Sequence, residues 1–133
     1  METDKMFIEN QSKYDFDETI EKLEILFKEG KWGVKANHNL KEMLSEKGFE
    51  VPETKVMEVC KPPFANRMLS KNDLRIYSNM MPCRLSVYKK DDGKTYVSRM
   101  NNEMFGQMIG GEVEEIIGDA FHEVEEIISG VSM

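Results

Sequence analysis

The segment from Cys83 to Met100 has the pattern of a β-hairpin, and it constrains the fold more than any other feature. Apolar and polar side chains alternate over residues 83–89, as expected when successive side chains leave opposite faces of a strand. The turn Asp91-Asp-Gly-Lys94 then leads into a second strand-like run at residues 95–100. We therefore predict two neighbouring antiparallel strands.

Two amphipathic segments predict long helices. Apolar residues recur at helical spacing from Phe16 to Phe27, and Asp15 with Glu18 has the arrangement of a capping box. Gly30 is predicted to end this first helix in the left-handed conformation. The second long helix follows Gly110-Gly111, where apolar residues recur at i, i+3, i+4 and i+7.

The remaining pattern completes an α+β fold. A strand is predicted at residues 54–60, before Pro62 and Pro63, and further strands are predicted near the N-terminus and near Trp32. These elements predict one domain over residues 1–133. It has two layers, in which a mixed or antiparallel sheet of about five strands packs with two long helices and shorter ones.

Composition excludes several classes of partner. The chain of 133 residues has 18 Lys and Arg against 25 Asp and Glu, a formal net charge of −7. This charge argues against nucleic acid, whose binding depends on clustered basic residues. No stretch approaches the roughly 18 apolar residues of a membrane span, so no membrane partner is predicted. With two cysteines and no secretory pattern at the start of the chain, we expect a cytoplasmic location and reduced thiols.

Cys60 and Cys83 are the candidate functional residues. In the predicted strand, Cys60 shares a face with Glu58, which indicates a half-polar surface. Cys60 also precedes a helix predicted to begin near Pro63, whose unpaired amides would stabilise a thiolate. A structural role is the alternative, because free cysteine often behaves as a small apolar residue.

Whether the two thiols meet depends on the strand order. Parallel strands joined by a helix would hold the sulfurs roughly 17–20 Å apart, which is too far for a disulfide. Antiparallel neighbours would bring the two strand ends together, and residues 71–82 are long enough to permit this. The sequence leaves the choice open.

The order and spacing of several short motifs resemble the small prokaryotic family called domain of unknown function 302. The motifs are Phe16-Asp-Glu-Thr19, Cys60-Lys-Pro62 with Ala65, Met81-Pro-Cys83, Val87-Tyr88 and Asp92-Gly93. Lys61 stands where the family usually has Asn, a change that bears on any ligand site beside the first cysteine. The resemblance implies a two-layer α+β fold and a dimer, with no established activity.

We therefore favour a binding module for a small ligand or a partner over an enzyme. Its predicted ligand-binding residues are Cys60, Pro62, Cys83, Glu58, Lys61 and Arg84. The alternatives are a cytosolic thiol-redox enzyme or sensor and a soft-metal-binding protein, both using the two cysteines. The redox alternative assigns Cys83 as the resolving thiol. No histidine-carboxylate metal centre is predicted, and the sequence identifies neither a catalytic residue nor a cofactor.

Methionine and isoleucine residues predict an exposed apolar surface, and a symmetric homodimer is the expected oligomer for such a surface. Met80 and Met81, just before Pro82, form an apolar step. We predict that this step lines either a pocket or a dimer seam.

Overall fold

The computed structural model describes residues 6–133, in which the strands form one five-stranded sheet. The strands are β1 (Phe7–Gln11), β2 (Gly33–Asn39), β3 (Thr54–Cys60), β4 (Cys83–Lys89) and β5 (Thr95–Met100). Their order in the sheet is β1-β5-β4-β3-β2, and every neighbouring pair is antiparallel. The predicted α+β class is confirmed, and the sheet takes the antiparallel form of the two that were predicted.

Helices connect and cover the strands. They are α1 (Phe16–Glu29), α2 (Leu40–Ser45), α3 (Pro62–Leu69), α4 (Asn102–Ile109) and α5 (Gly111–Ser129), with a 3-10 segment (Asn72–Met80) before β4. The start of α1 follows the sequence signal, because the Asp15 carboxylate accepts a hydrogen bond of 2.9 Å from the Glu18 amide. Within residues 6–133, no helix is both long and apolar enough to cross a membrane.

The core lies between one face of the sheet and the two long helices. The strands contribute the buried residues Met57, Val59, Leu85, Val87 and Val97, and the helices contribute Phe16, Ile20, Leu23, Phe27, Ala120, Val124 and Ile128. The strand residues alternate with residues that are at least partly exposed, as one-sided burial of an antiparallel sheet requires. One face of the sheet is therefore left without a buried layer over it.

The end of α1 differs from the prediction. Gly30 has a φ of −79°, and the left-handed residue is Lys31, with a φ of 66°. A Cβ on Gly30 would lie 3.3 Å from Cδ1 of Ile127 and 3.4 Å from Cδ1 of Trp32. Glycine at this position therefore allows the close approach of Ile127 and Trp32, and its backbone freedom is not used.

One charged residue lies on the covered face of the sheet. Arg99 in β5 lies two residues after Val97, on the same face of the sheet, and is 8 % exposed. Its Nε and Nη2 donate to the two carboxylate oxygens of Glu125 in α5, at 2.7 and 2.5 Å. Paired donation of this kind is the stronger geometry for an arginine-carboxylate contact, and it joins β5 to α5.

Candidate functional site

The antiparallel register of β3 and β4 brings the two cysteines to the same end of the sheet. Val59 lies directly opposite Cys83, and Cys60 follows Val59 as the last residue of β3. Both cysteines are free and half-buried. Of the two arrangements that the sequence left open, the structure has the one in which the strand ends meet.

Strand alternation nevertheless predicts that the two side chains leave the sheet on opposite faces. Cys83 shares its face with Val59, which is fully buried, whereas alternation groups Cys60 with Glu58. A disulfide requires close Cα atoms and also Cβ atoms that point toward each other. This arrangement disfavours a disulfide between the two cysteines unless the backbone moves.

The thiol of Cys83 is held in its neutral form. Burial raises the pKa of Cys83 to about 11, and the nearby Cys60 adds to the increase. Because the thiolate is the nucleophilic form of cysteine, Cys83 is a weak resolving thiol at neutral pH.

The start of α3 does not supply the amides that were predicted to stabilise a Cys60 thiolate. Pro62 and Pro63 have no N–H group. The amides of Phe64 and Ala65 both donate to the carbonyl of Lys61, at 3.1 and 3.2 Å. Residues 62–65 therefore offer no free backbone donor, and that part of the prediction is wrong.

A cavity opens at this end of the sheet, between the strand ends, α3 and α5. Its volume, taken as the space that the centre of a water molecule can occupy, is about 50 Å³. A single water needs about 10–15 Å³ on this scale, so a small organic molecule can be accommodated. The sheet end and the chain before β4 contribute Trp32, Val59, Cys60, Met80, Met81, Pro82 and Cys83 to the wall.

Apolar side chains of two helices form most of the remaining wall. These residues are Phe64, Ala65 and Met68 of α3, and Ile116, Ile117, Ala120 and Phe121 of α5. The rings of Trp32 and Phe64 lie 5.8 Å apart, centroid to centroid. A concave, mainly aromatic and aliphatic wall with few polar groups is typical of small-molecule sites.

The polar side chains of the wall, apart from the two thiols, are Lys61 and Asn102. Lys61 Nζ donates to Oε1 of Glu123 at 2.6 Å, and the same oxygen accepts a hydrogen bond of 3.3 Å from Trp32 Nε1. The Lys61 side chain is 21 % exposed and that of Glu123 is 39 % exposed. This pair links the start of α3 to α5 beside the cavity.

Comparison with known proteins identifies the family. The model of the family described as domain of unknown function DUF302 matches residues 8–131. The chain belongs to the DUF302 family. Among solved structures, it is similar to an uncharacterized conserved DUF302 protein from Bacillus stearothermophilus, with 29% identity and a TM-score of 0.82 over 93% of this chain and 96% of that chain. No curated protein matches the sequence.

Three of the six predicted ligand-binding residues of this DUF302 protein line the cavity: Cys60, Lys61 and Cys83. Pro62 is exposed and does not line it. Pro82, which directly precedes Cys83 and follows a cis peptide bond, does line the cavity. The structure therefore replaces one proline of the predicted site with another.

The predicted anchors Glu58 and Arg84 also lie outside the cavity wall. Arg84 Nε contacts Glu58 Oε2 at 3.2 Å, and His38 Nε2 lies 2.6 Å from Glu58 Oε1. The hydrogen bond from His38 is the main cause of the lowered pKa of Glu58, to which Arg84 adds. Alternation places this cluster on the other face of the sheet, so it does not anchor a ligand in the cavity.

The aromatic residues of the wall were not predicted as site residues. Phe121 belongs to the apolar repeat that predicted α5, and Trp32 was linked only to a strand. The apolar pair Met80-Met81 was the useful signal, because both residues do line the cavity. Among residues 6–133, no group of three or more His, Cys, Asp and Glu side chains is arranged to hold a metal ion.

Proposed function

We propose that this DUF302 protein is a binding module for a small, mainly apolar molecule held in the cavity beside Cys83. The observation that carries the proposal is the wall itself, in which aromatic and aliphatic side chains surround a space larger than one water. The neutral thiol of Cys83 suits such a wall, because it behaves as a small apolar group.

Titration with hexan-1-ol tests the proposal. Trp32 is the only tryptophan of the chain and lines the cavity, so its fluorescence reports occupancy. We expect a saturable change in emission. Ala65→Phe should fill the cavity and lower the affinity at least about tenfold, which corresponds to about 1.4 kcal/mol of lost contact.

The matched control is Ala65→Ser, which adds one oxygen atom and leaves most of the space. Its affinity for hexan-1-ol should remain within about twofold of the unmodified chain, a difference of less than 0.5 kcal/mol on the scale of about 1.4 kcal/mol for each tenfold change. A linear, unsaturable response, or equal affinity for the serine and phenylalanine variants, would contradict ligand binding in this cavity.

A soft metal ion is a second candidate ligand because five wall residues carry sulfur: Cys60, Cys83, Met68, Met80 and Met81. Thiolate and thioether groups favour Cu(I) over harder cations. We expect any such uptake by the reduced protein to be lost in Cys83→Ser. Equal uptake by both proteins would count against the cavity as the metal site.

The thiol-redox alternative has weaker support. Strand alternation predicts opposite faces of the sheet for the two cysteine side chains, and the raised pKa of Cys83 limits its thiolate. Both features slow thiol-disulfide exchange.

We also propose a symmetric homodimer formed through the uncovered face of the sheet. Phe7 and Met100 lie directly opposite each other there and are 51 % and 43 % exposed. The same face carries the stacked rings of Tyr88 and Tyr96, 6.4 Å apart. Exposed apolar and aromatic side chains on one contiguous face are typical of subunit interfaces.

The mass in solution tests the dimer. We expect twice the chain mass of 15.4 kDa by light scattering, and dissociation in Met100→Glu, because the interface would have to desolvate a carboxylate. Met108→Glu is the matched control, since Met108 is 66 % exposed on α4. A monomeric parent protein, or dissociation by Met108→Glu alone, would contradict this interface.

The remaining expectations stay proposals. We propose that residues 1–133 form one domain, that the protein is cytoplasmic and that it has no nucleic-acid partner. The net charge of −7 supports the last of these, because phosphate backbones repel an acidic surface.

A further inference from the structure

The cavity wall carries two hydrogen-bond donors that meet at one point. Lys61 and Trp32 both line the cavity. Lys61 Nζ and Trp32 Nε1 donate to the same oxygen of Glu123, at 2.6 and 3.3 Å. Glu123 does not itself line the cavity. A carboxylate oxygen is therefore already held at the edge of an apolar space by an ammonium and an indole N–H.

The surrounding backbone supplies no competing donor on the α3 side. The first two residues of α3 are prolines, and the next two amides are already bonded to the Lys61 carbonyl. An anionic group at this point would therefore depend on Lys61 and Trp32. A charge-assisted hydrogen bond from lysine to a carboxylate is among the stronger polar contacts in proteins.

We infer that the cavity selects small apolar molecules with a carboxylate group, which takes the place of Glu123 on Lys61 and Trp32. This inference rests on the proposed ligand-binding function and names the chemical class of the ligand. The exchange is feasible because Glu123 is the more exposed partner, at 39 % against 21 % for Lys61. Its carboxylate can turn to water while the apolar part of the ligand fills the cavity.

Glu123 acts in this scheme as an internal competitor. Its removal leaves two converging donors without a carboxylate and lowers the cost of admitting one from a ligand. Removal of the Lys61 charge has the opposite effect, because it leaves only the weaker neutral donor. The selectivity between a carboxylate and an alcohol of the same chain length therefore depends on these two side chains.

Calorimetric titration with hexanoate and hexan-1-ol tests the inference, because heat is independent of the Trp32 environment. In Glu123→Gln we expect the affinity for hexanoate to rise about tenfold, and adding Lys61→Met to that variant should reverse the gain. Hexan-1-ol affinity should change less than about twofold in both proteins. The control is Glu126→Gln, at an exposed position of the same helix, which should leave both affinities unchanged.

The outcomes distinguish a failure of the carboxylate selectivity from a failure of the ligand-binding function. Saturable binding of hexan-1-ol without any gain for hexanoate in Glu123→Gln would overturn the inference and leave the ligand-binding function standing. A gain that persists after Lys61→Met would also overturn it. Failure of both molecules to bind the parent protein and Glu123→Gln would overturn the inference and the proposed function together.

Discussion

Replacement of Glu125 by alanine is expected to lower the free energy of unfolding by about 3 kcal/mol. Arg99 is 8 % exposed, and both of its bonds to Glu125 would be lost. Among residues 6–133, the guanidinium would keep only a hydrogen bond of 3.4 Å to the carbonyl of Val97. A buried charge without its partner is expensive, and urea unfolding at neutral pH measures the loss.

Two further proteins make this expectation specific. Glu126→Ala removes a carboxylate from the exposed neighbouring position of α5 and should change stability by less than about 0.5 kcal/mol. The double variant Arg99→Met with Glu125→Leu replaces the pair by apolar groups and should recover most of the loss. Equal effects of Glu125→Ala and Glu126→Ala would show that the ion pair is unimportant for stability.

Stability should also fall above about pH 9 because of Cys83. The pKa of its thiol is about 11 in the folded protein, against an ordinary value of 9.0. The unfolded chain therefore releases the proton first as the pH rises, which favours unfolding. At about 1.36 kcal/mol for each unit of pKa, the loss approaches about 2.7 kcal/mol and is complete near pH 11.

The comparison that isolates this effect is the slope of stability against pH for the parent protein and Cys83→Ala. Alanine has no titrating group, so its curve should fall less steeply between about pH 9 and 11. Tyrosine and lysine residues titrate in both proteins and cancel in the difference. Parallel curves would mean that the Cys83 thiol is not desolvated in the folded state.

Local patterns were sufficient to predict most of the strands. The bounds 54–60, 83–89 and 95–100 are those of β3, β4 and β5, because one-sided burial imprints an alternation of period two. The Asp15 cap of α1 was also predicted from the sequence, since the capping Asp15 side chain and the Glu18 amide lie three residues apart. These features depend on residues that are neighbours along the chain, so local sequence patterns are sufficient to predict them.

Features that depend on packing between distant parts of the chain could not be predicted from the sequence. Gly30 was predicted to be left-handed, but its φ is −79° and the small residue instead gives room to Ile127 of α5. The candidate site shows the same difference between local and distant features. Lys61 was predicted as a polar anchor, whereas its partner Glu123 lies 62 residues away and was missed. The choice between separated and adjoining cysteines likewise needed the strand order, which no local pattern contains.

The most direct test of the ligand-binding cavity is the response of methionine methyl groups to hexan-1-ol in an NMR titration. Met68, Met80 and Met81 line the cavity, whereas Met43 and Met108 are 55 % and 66 % exposed and do not. We expect saturable shifts of the first three methyl signals and unchanged signals for the other two. Shifts confined to Met43 or Met108, with the three cavity methyls unmoved, would contradict a ligand site at the meeting of β3, β4, α3 and α5.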